Sequence, residues 1–341
     1  MITKLSTYIT DNTIPYWNLA VEEYLTLHTE PGECILFLWQ NRRTVVIGKN
    51  QNCWKECKVN YLEEDGGYLV RRLSGGGAVF HDMGNLNFTF CIRKEDYNVD
   101  RQLDVILQAA RLIGLDAQKT GRNDVTIEGR KFSGNAFYET GDFCYHHGTL
   151  LLDVNKEDMS RYLNVSREKL QSKGVDSVRS RVANLIEFYP EITVKLMQEK
   201  MVQAFGMVYR LDPQPLADDR IDWEDVQKKE DRFGSWEWKY GRKIPFQYSA
   251  SSRFAWGDVE LQFQVDGGIV KSVNAFSDGM NPKLVSALPA VWEGCRYEEK
   301  ALLEALDQVS GDGQKAMEIT GGIELEQQMK QDICTLLKEC L

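Results

Sequence analysis

The residues best suited to chemistry lie in RRLSGGGAVF, residues 71–80, where two arginines precede a serine and three consecutive glycines. Three glycines in a row cost backbone entropy on folding. They also let a backbone approach a ligand closely, and successive N–H groups on a tight turn bind anions. Arginine suits phosphate and carboxylate. The segment predicts an anion cradle; a glycine-rich hairpin turn with solvated arginines is the structural alternative.

The common nucleotide-binding motifs do not occur in this sequence. Neither G-x-x-x-x-G-K-[ST] nor G-x-G-x-x-G after a strand is present. A nucleotide site at residues 71–80 would therefore belong to another class.

A second candidate group lies in GRNDVTIEGRKFSGNAFYE, residues 121–139. Side chains alternate along a strand, so we expect Lys131 and Ser133 on one face. A lysine that points inward requires an anionic partner, because an unpaired buried charge is costly. A bound phosphate or carboxylate would supply that partner; an exposed hairpin lysine is the alternative.

Two adjacent histidines, His146 and His147, occur in the strand-like segment CYHHGTLLLD. Neighbouring side chains on a strand face opposite ways, so at most one of them faces a site. The chain has four histidines in all, which disfavours a histidine metal centre. We expect a hydrogen bond to substrate or a packing role instead.

Serine and cysteine nucleophiles are the rival chemistry. Ser74 and Ser133 both precede a glycine, but neither lies in G-x-S-x-G. Cys91 and Cys144 stay open as acyl-transfer nucleophiles, because sequence spacing does not exclude them.

The eight cysteines are scattered, and reduced thiols are the default for a long chain of this kind. Cys53 and Cys57 are four residues apart, which one helical face would accommodate. No histidine lies near them in sequence and no second pair has metal-ligand spacing, so the pattern disfavours a zinc site.

Composition sets the broad class of the protein. The chain has 341 residues, 43% of them hydrophobic, which suggests two domains with real cores. Acidic residues outnumber basic ones by 51 to 41, for a net charge of -10, which argues against nonspecific nucleic-acid binding. No apolar run reaches the ~18 residues of a membrane span, and MITKLSTYITDN lacks the pattern of a signal peptide. We expect a cytoplasmic protein without a membrane partner.

The elements that position these residues follow from periodicity. Helices are predicted over 15–28, over RQLDVILQAARLIG with Leu103, Ile106, Ala110 and Ile113 on one face, and over 193–209. Residues 34–39 and 44–48 predict a hairpin. Further strands are predicted in GYLVRRL, AVFHD, LNFTFCI, DVTIEG, KFSGNAFYE and CYHHGTLLLD.

The pattern changes near residues 235–250, which are aromatic and basic and include a proline. A strictly alternating strand, VELQFQV, a DGG turn, a second strand and the helical KALLEALDQV follow. We therefore predict a large domain at 1–244 and a small α+β domain at 245–341. The large domain is expected to be α+β, with a mostly antiparallel mixed sheet flanked by helices.

Taken together, these segments resemble the lipoate–protein ligase A family. The matching stretches are RRLSGGGAVFHDMGNLNFTF, GRNDVTIEGRKFSGNAF, HHGTLLLD, YLNVSREKLQSKGVDSVRSRVANL, GSWEWKYGR and, more weakly, RFAWGDVELQF. The resemblance implies a large domain like those of biotin protein ligases and class II aminoacyl-tRNA synthetases. It also implies that lipoate is activated with ATP to lipoyl-AMP and passed to one lysine of a carrier, in lipoate salvage. The expected carriers are the E2 lipoyl domains of 2-oxoacid dehydrogenases and the glycine cleavage H protein.

The resemblance also implies roles for individual residues. Lys131 would lie between the carboxylate and the α-phosphate and stabilise the developing charge. The nucleotide would be bound by Arg72 and by the backbone of Gly77, Ala78, Val79 and Phe80. The lipoyl group would be bound by Ser74, Gly75, Gly76 and His147. Asn85 would be a further binding residue. Asp124 is the candidate ligand for Mg²⁺, a hard cation that prefers oxygen.

Two alternatives stay open at this level. One is an acyltransferase of the same fold that moves octanoyl or lipoyl groups without ATP by means of a cysteine nucleophile. The other is a non-catalytic module that binds lipoate. The set RRLSGGGAVF with its attached small domain favours the ligase over the first, and an intact Lys131 argues against the second.

Overall fold

The computed structural model of the chain describes residues 1–120, 124–164, 182–241, 244–309 and 322–340. Parts of three segments that carry the family resemblance, 121–123, 165–181 and 242, lie outside the described residues.

The chain forms two compact units. The first comprises Met1–Val46, Trp54–Arg71 and Val79–Lys239. The second comprises Ile47–Cys53, Arg72–Ala78 and Tyr240–Leu341. Two short stretches of the N-terminal half, one of them the glycine-rich loop, thus group with the C-terminal region. The division of the chain into domains at residue 245 stays a prediction.

The described residues form fourteen strands. They are β1 Lys4–Ile9, β2 Glu33–Trp39, β3 Thr44–Ile47, β4 Tyr68–Arg71, β5 Val79–His81, β6 Asn85–Arg93, β7 Ala117–Thr120, β8 Asp124–Ile127, β9 Arg130–Thr140, β10 Phe143–Leu151, β11 Gln214–Pro215, β12 Tyr248–Phe254, β13 Gly257–Asp266 and β14 Ile269–Ser277.

The large sheet of the first unit has eight strands in the order β11-β1-β2-β6-β10-β9-β8-β7. β1 runs parallel to β2 and to β11. The pairs from β2 through β6, β10, β9 and β8 to β7 are antiparallel. This confirms the prediction of a mostly antiparallel mixed sheet.

The predicted hairpin between residues 34–39 and 44–48 is wrong, although both strands exist. β2 has a strand on each side, β1 and β6, so no edge is left for β3. β3 lies instead at the centre of a separate sheet of order β4-β3-β5. Both strands are fully buried, and a continuous apolar run does not indicate which neighbour it pairs with.

The described residues form eleven α-helices, and those of the first unit lie on both faces of the large sheet. The eleven helices span Pro15–Leu27, Cys53–Glu56, Val59–Glu64, Val99–Arg111, Lys156–Tyr162, Val194–Tyr209, Trp223–Gly234, Trp236–Tyr240, Pro282–Trp292, Glu299–Asp307 and Gly322–Cys340. The helix Pro15–Leu27 packs against Trp223–Gly234, β6 and β10, and the helix Val99–Arg111 packs against Val194–Tyr209. The three helices predicted in this region are confirmed, except that Ile113 lies beyond the end of its helix.

The C-terminal region of the second unit has its own sheet and core. β12, β13 and β14 form an antiparallel meander. Its apolar face packs on the helices around Trp292, whose indole N–H donates to the carbonyl of Leu302 at 2.9 Å. The strict alternation of VELQFQV thus predicted its strand correctly. Among the described residues, no helix has the length and apolar character needed to cross a membrane.

Candidate active site

Lys131 lies near the start of β9 with its amine in an ion pair. Its Nζ lies 2.6 Å from Oδ1 of Asp124, and the two side chains keep 35% and 38% of their surface exposed. The carbonyl of Lys131 accepts a hydrogen bond of 2.9 Å from the N–H of Ala183. An ion pair this exposed contributes little to stability. Asp124 therefore holds the amine in place without removing it from solvent.

A β-bulge lies between Lys131 and Ser133. Val125 pairs with Ser133 and Thr126 pairs with Lys131, so Phe132 is the extra residue of β9. A bulge interrupts the alternation of side chains. Ser133 is fully buried, whereas Lys131 is partly exposed. The expectation that Lys131 and Ser133 share a face does not hold, because the bulge shifts the alternation between them.

Gly134 leaves room for the lysine side chain. A Cβ at this position would lie 2.9 Å from Nζ and 3.0 Å from Cε of Lys131, and 3.9 Å from Oγ1 of Thr149 on β10. Any other residue would push the amine away. The direction of that Cβ also places the amine on the face of the sheet that carries Thr149.

His147 lies on the same face of β10, since it is two residues from Thr149, and it is held by a buried carboxylate. Its Nδ1 lies 2.8 Å from Oε1 of Glu22 in the helix Pro15–Leu27. The hydroxyl of Thr89, the residue paired with His147 on β6, donates to the same oxygen at 2.7 Å. Trp39 in turn donates its indole N–H to the Thr89 hydroxyl at 3.1 Å. The ring of His147 is thus fixed from one side.

The sequence analysis missed Glu22, Thr89 and Trp39. A signal for Glu22 was present, because Asn18, Glu22 and Thr26 recur at four-residue spacing in a mostly apolar helix. All three are buried. A line of polar residues along the core-facing side of a helix indicates buried hydrogen-bonding partners.

His146 faces the opposite side of the sheet and belongs to the core. Its ring nitrogens lie 3.1 Å from Oε1 of Gln102 and 2.8 Å from Oδ1 of Asn135. Burial lowers the pKa of His146 well below its usual value, and the nearby charges of His147 and Lys119 lower it further. The ring is therefore neutral, and His146 and His147 face opposite sides of the sheet, as predicted from the alternation along a strand.

Asn85 brings unsatisfied polar atoms to the face of Thr89 and His147. Asn85, Asn87 and Thr89 alternate along β6, so they share one face. The amide of Asn85 donates to Oδ1 of Asn87 at 2.9 Å. Both asparagines are buried, and within the described residues Oδ1 of Asn85 and Nδ2 of Asn87 have no hydrogen-bond partner. Buried polar atoms are nearly always bonded, so one acceptor and one donor are available to a ligand.

In the second unit, Arg72 shapes the glycine-rich loop. Its guanidinium donates to the carbonyl of Gly75 at 2.6 Å and to that of Gly77 at 2.8 Å. It also donates to the hydroxyl of Ser74 at 3.0 Å. Arg72 is buried, and the loop wraps around its guanidinium group. A direct contact between Arg72 and a nucleotide stays a prediction.

The three loop glycines differ in the structural reason for having a glycine at each position. Gly76 has φ of 88°, which disfavours any side chain. A Cβ at Gly75 would lie 2.5 Å from the carbonyl oxygen of Gly279 and 2.6 Å from that of Met280. A Cβ at Gly77 would meet no atom of the protein within 4 Å, and Gly77 is exposed. Packing explains Gly75 and backbone conformation explains Gly76, whereas nothing in the described chain explains Gly77.

The residues after the glycines lead into β5. Ala78 and Val79 are partly exposed, and Val79 pairs with Val46 of β3. Phe80 is buried, and its ring packs 5.6 Å from that of Tyr162. The side chain of Phe80 thus belongs to the core, and only its backbone suits the predicted ligand contact.

Arg71, the other arginine of the motif, has a separate task in the first unit. Its Nε and Nη2 donate to the carbonyls of Trp238 and Lys239 at 2.9 and 2.8 Å. The indole N–H of Trp238 donates back to the carbonyl of Arg71 at 2.8 Å. The structural alternative, a glycine-rich turn with solvated arginines, is therefore wrong for both residues, because each is buried and donates to backbone carbonyls.

Comparison with protein families decides the identity of the fold. The model of the lipoyl protein ligase A/B catalytic domain matches residues 14–206, more than half of the chain. The chain belongs to the lipoate–protein ligase family. The model of the bacterial lipoate protein ligase C-terminus matches residues 243–330 as well.

Solved structures of similar proteins share this architecture. A crystal structure of P. falciparum LipL1 in complex with lipoate is 27% identical, covers 96% of this chain and 100% of its own, and has a TM-score of 0.79. A bipartite lipoate protein ligase of Thermoplasma acidophilum, studied with its E2 lipoyl domain, is 26% identical over 72% of this chain and 99% of its own, with a TM-score of 0.62. A lipoate-protein ligase A bound with ATP is 23% identical over 71% of this chain and 99% of its own, with a TM-score of 0.61, and shows the fold alone.

The cysteines weighed above as nucleophiles or metal ligands are buried in this ligase-family chain. Cys91 and Cys144 are fully buried in β6 and β10. Burial raises the pKa of Cys91 well above its usual value, which leaves little thiolate for nucleophilic attack. Cys53 and Cys57 are buried too. Within the described part of the chain, no group of three or more His, Cys, Asp or Glu side chains could hold a metal ion.

Asp124 fits the limited protein contribution that Mg²⁺ requires. Mg²⁺ bound with a nucleotide commonly takes one or two carboxylates and completes its shell with phosphate oxygens and water. Asp124 offers one partly exposed carboxylate next to the amine of Lys131. Its oxygens are hard donors of the right kind, so the residue is compatible with the predicted role.

Proposed function

We propose that the chain is an ATP-dependent lipoate–protein ligase that forms lipoyl-AMP and transfers the lipoyl group to a carrier lysine. The observation that carries the proposal is the Lys131 amine, which lies across Gly134 beside Asp124, on the face of the sheet that also carries Asn85 and His147. A similar ligase was solved with lipoate, and one of the same fold with ATP.

The first half-reaction joins two anions. A carboxylate oxygen of lipoate attacks the α-phosphorus of ATP, the bond to the β-phosphate bridge breaks, and pyrophosphate leaves. The carboxylate and the phosphates repel each other until the site offsets their charge. A partly exposed lysine amine that is held in one place can do this without forming a covalent bond to the substrate. Lys131 is assigned that role.

We assign to the glycine loop the binding of the nucleotide and of part of the acyl group. We assign to the phosphate oxygens the backbone N–H groups of Gly77 and Ala78 in the loop and of Val79 and Phe80 at the start of β5, because successive amides at a turn can form an anion-binding concavity. Arg72 would hold the loop in shape as well as neutralise charge. Ser74, Gly75 and Gly76 are assigned to the lipoyl side.

Asn85 and His147 are assigned to the substrate in the first unit. The unsatisfied amide atoms of Asn85 and Asn87 can donate to and accept from a polar group without further rearrangement. His147 has its orientation fixed by Glu22. Mg²⁺ bound at Asp124 would offset phosphate charge, which is the chemistry that a hard cation supplies to phosphoryl transfer.

The second half-reaction transfers the acyl group to an amine. The ε-amine of a carrier lysine attacks the carbonyl of the mixed anhydride, an amide forms, the amine loses a proton, and AMP leaves. E2 lipoyl domains are the proposed carriers, since a bipartite relative was studied with one. The glycine cleavage H protein, a role in lipoate salvage and a cytoplasmic location are further parts of the proposal.

Pyrophosphate release tests the proposal. The purified chain with MgATP should release pyrophosphate only when lipoate is added, and before any carrier is present. Lys131→Met removes the charge at nearly constant length and should abolish the signal. Lys119→Met is the matched control, because Lys119 is also a partly exposed lysine in an ion pair with an aspartate, Asp100.

The same assay separates the rivals. Acyl transfer between carriers without ATP and without pyrophosphate would establish the cysteine-dependent transferase instead. Lipoate binding with neither pyrophosphate release nor acyl transfer would establish a binding module. Either result would refute the ligase.

A further inference from the structure

The C-terminal region of the second unit holds the glycine loop directly. The N–H of Gly76 donates to the carbonyl of Gly279 at 3.1 Å. The Cα of Gly75 is packed so closely on residues 279–280 that a Cβ there would clash with two carbonyl oxygens. The N–H of Gly279 is itself held at 2.9 Å by the hydroxyl of Ser277. The shape of the loop thus depends on a turn about 200 residues away in sequence.

A second stretch of the unit, Ile47–Cys53, runs along the other side of the loop. The N–H of Arg72 donates to the carbonyl of Ile47 at 3.0 Å, and the N–H of Lys49 donates to that of Ser74 at 2.9 Å. Gly48 is packed against the carbonyl of Gly76, where a side chain would clash with it. These contacts fix both ends of the loop relative to residues 47–49.

Asn50 joins these two supports. Its Nδ2 donates to the carbonyl of Pro282 at 2.9 Å, and its Oδ1 accepts from the hydroxyl of Ser286 at 2.9 Å. Its backbone carbonyl accepts from the N–H of Ser277 at 2.9 Å. The side chain of Asn50 is therefore bonded on both its donor and its acceptor side to the start of the helix Pro282–Trp292.

We propose that Asn50 is a positioning residue for the glycine loop: it fixes the 277–282 turn, so that Gly279 can bind Gly76 and leave Gly77 exposed toward the ligand. This inference rests on the proposed function, because it takes the loop to be the place where the nucleotide and acyl group bind. Asn50 acts through Gly279 and the loop, without touching substrate itself.

Two measurements on the full chain test the proposal, the first without any ligand. Amide hydrogen exchange is followed in the peptide that covers residues 72–80. Asn50→Ala removes both side-chain hydrogen bonds, one partly buried and one exposed, and should speed the exchange by about 3- to 10-fold. Asn50→Asp should do at least the same, because it places a carboxylate oxygen against the carbonyl of Pro282.

The second measurement is the KM–kcat split for lipoate-dependent pyrophosphate release. A loosened loop should raise KM for ATP or lipoate several-fold and change kcat less, since binding must first order the loop. Asn98→Ala is the control, because Asn98 caps the helix Val99–Arg111 in the other unit through a hydrogen bond of 2.9 Å to Arg101. It should lower the thermal midpoint without changing loop exchange or KM.

Each outcome of these measurements either supports or refutes the positioning role of Asn50. Unchanged exchange at 72–80 in both Asn50 variants refutes the positioning role, whatever the kinetics show. Faster exchange in a chain whose wild type releases no pyrophosphate supports the positioning role and refutes the ligase function. If Asn50→Ala is recovered unfolded, Ser286→Ala removes the hydrogen bond to Oδ1 of Asn50 instead and is judged by the same exchange measurement.

Discussion

The glycine loop at residues 72–78 and the β9–β10 hairpin are built in opposite ways. The hairpin presents side chains, among them Lys131 and His147, from two strands adjacent in sequence. The loop presents backbone, and its shape comes from Arg72 and from residues 279–280 far along the chain. Side-chain changes on the hairpin should therefore alter chemistry more than folding, whereas small changes in the loop can alter either one, depending on the position.

The largest effect is expected at Lys131. Lys131→Ala removes the charge assigned to offset carboxylate–phosphate repulsion, and loss of one preorganised donor costs about 10²- to 10³-fold in rate. The thermal midpoint should change little, because the ion pair with Asp124 is exposed to solvent. Lys131→Arg keeps the charge but changes its geometry, so it should rescue poorly.

Adenylation rate and thermal midpoint are measured for wild type and both variants. A rate for Lys131→Ala within about threefold of wild type, a barrier change under roughly 0.7 kcal/mol, would show that Lys131 is only a surface lysine. A large drop in the thermal midpoint of Lys131→Ala would instead contradict the expectation that side-chain changes on the hairpin alter chemistry more than folding.

Two neighbouring glycines test the loop. Gly75→Ala introduces a Cβ that overlaps two carbonyl oxygens, of Gly279 and Met280, and should destabilise the second unit by ~1–3 kcal/mol. Gly77→Ala adds the same methyl group where no protein atom lies within 4 Å, so its stability should match wild type. Its nucleotide or lipoate affinity should fall, because the methyl group occupies the space assigned to the ligand.

Chemical denaturation and isothermal titration separate these two effects. Equal stability loss in both variants would mean that Gly77 is also a packing glycine. Undiminished ligand affinity in Gly77→Ala would remove Gly77 from the proposed site while leaving the loop architecture unaffected.

The two faces of the β9–β10 hairpin can be compared further through His146, which lies on the face opposite His147. Burial keeps the pKa of His146 well below its usual value, so the unfolded chain binds one more proton than the folded chain below pH ~6.5. Stability from this residue is present above that pH and is lost as pH falls, by up to about 1.4 kcal/mol per pH unit. His146→Gln should reduce the slope by that amount.

Unfolding free energies between pH 7 and pH 5 check this expectation. Identical slopes in wild type and His146→Gln would mean that the His146 ring is protonated in the folded state. Adenylation by His146→Gln should fall in step with its stability, since the ring lies on the face opposite His147.

Local patterns in the sequence predicted the hairpin well. The strands around Lys131 and His147, the opposite orientation of His146 and His147, and the helix Pro15–Leu27 all follow from two-residue or 3.6-residue periodicity. What failed there was the alternation across the bulge at Phe132, because a bulge is fixed by how two strands register and leaves no clear mark in either one.

The rest depends on contacts between segments distant in sequence. Three such tertiary contacts matter here: Glu22 orients His147, β3 pairs in a separate sheet from β2, and the carbonyl of Gly279 accepts from the N–H of Gly76. The glycines of the loop predicted a close approach of backbone. The sequence did not indicate that Gly75 meets Met280 while Gly77 meets no protein atom, because both are the same residue type in one run.

The smallest effect is expected at the cysteines of β6 and β10. Cys91→Ala and Cys144→Ala should keep adenylation and transfer within about threefold of wild type, a barrier change under roughly 0.7 kcal/mol. Both thiols are fully buried, and burial raises the pKa of Cys91, so neither suits nucleophilic attack. Each substitution leaves a small cavity and should cost roughly 1 kcal/mol of stability. The rates are compared with Lys131→Ala in the same assay. A loss of about 10³-fold in a folded Cys variant, with an acyl group trapped on the wild-type thiol, would assign the chemistry to a covalent intermediate on the strand core rather than to the lysine on its face.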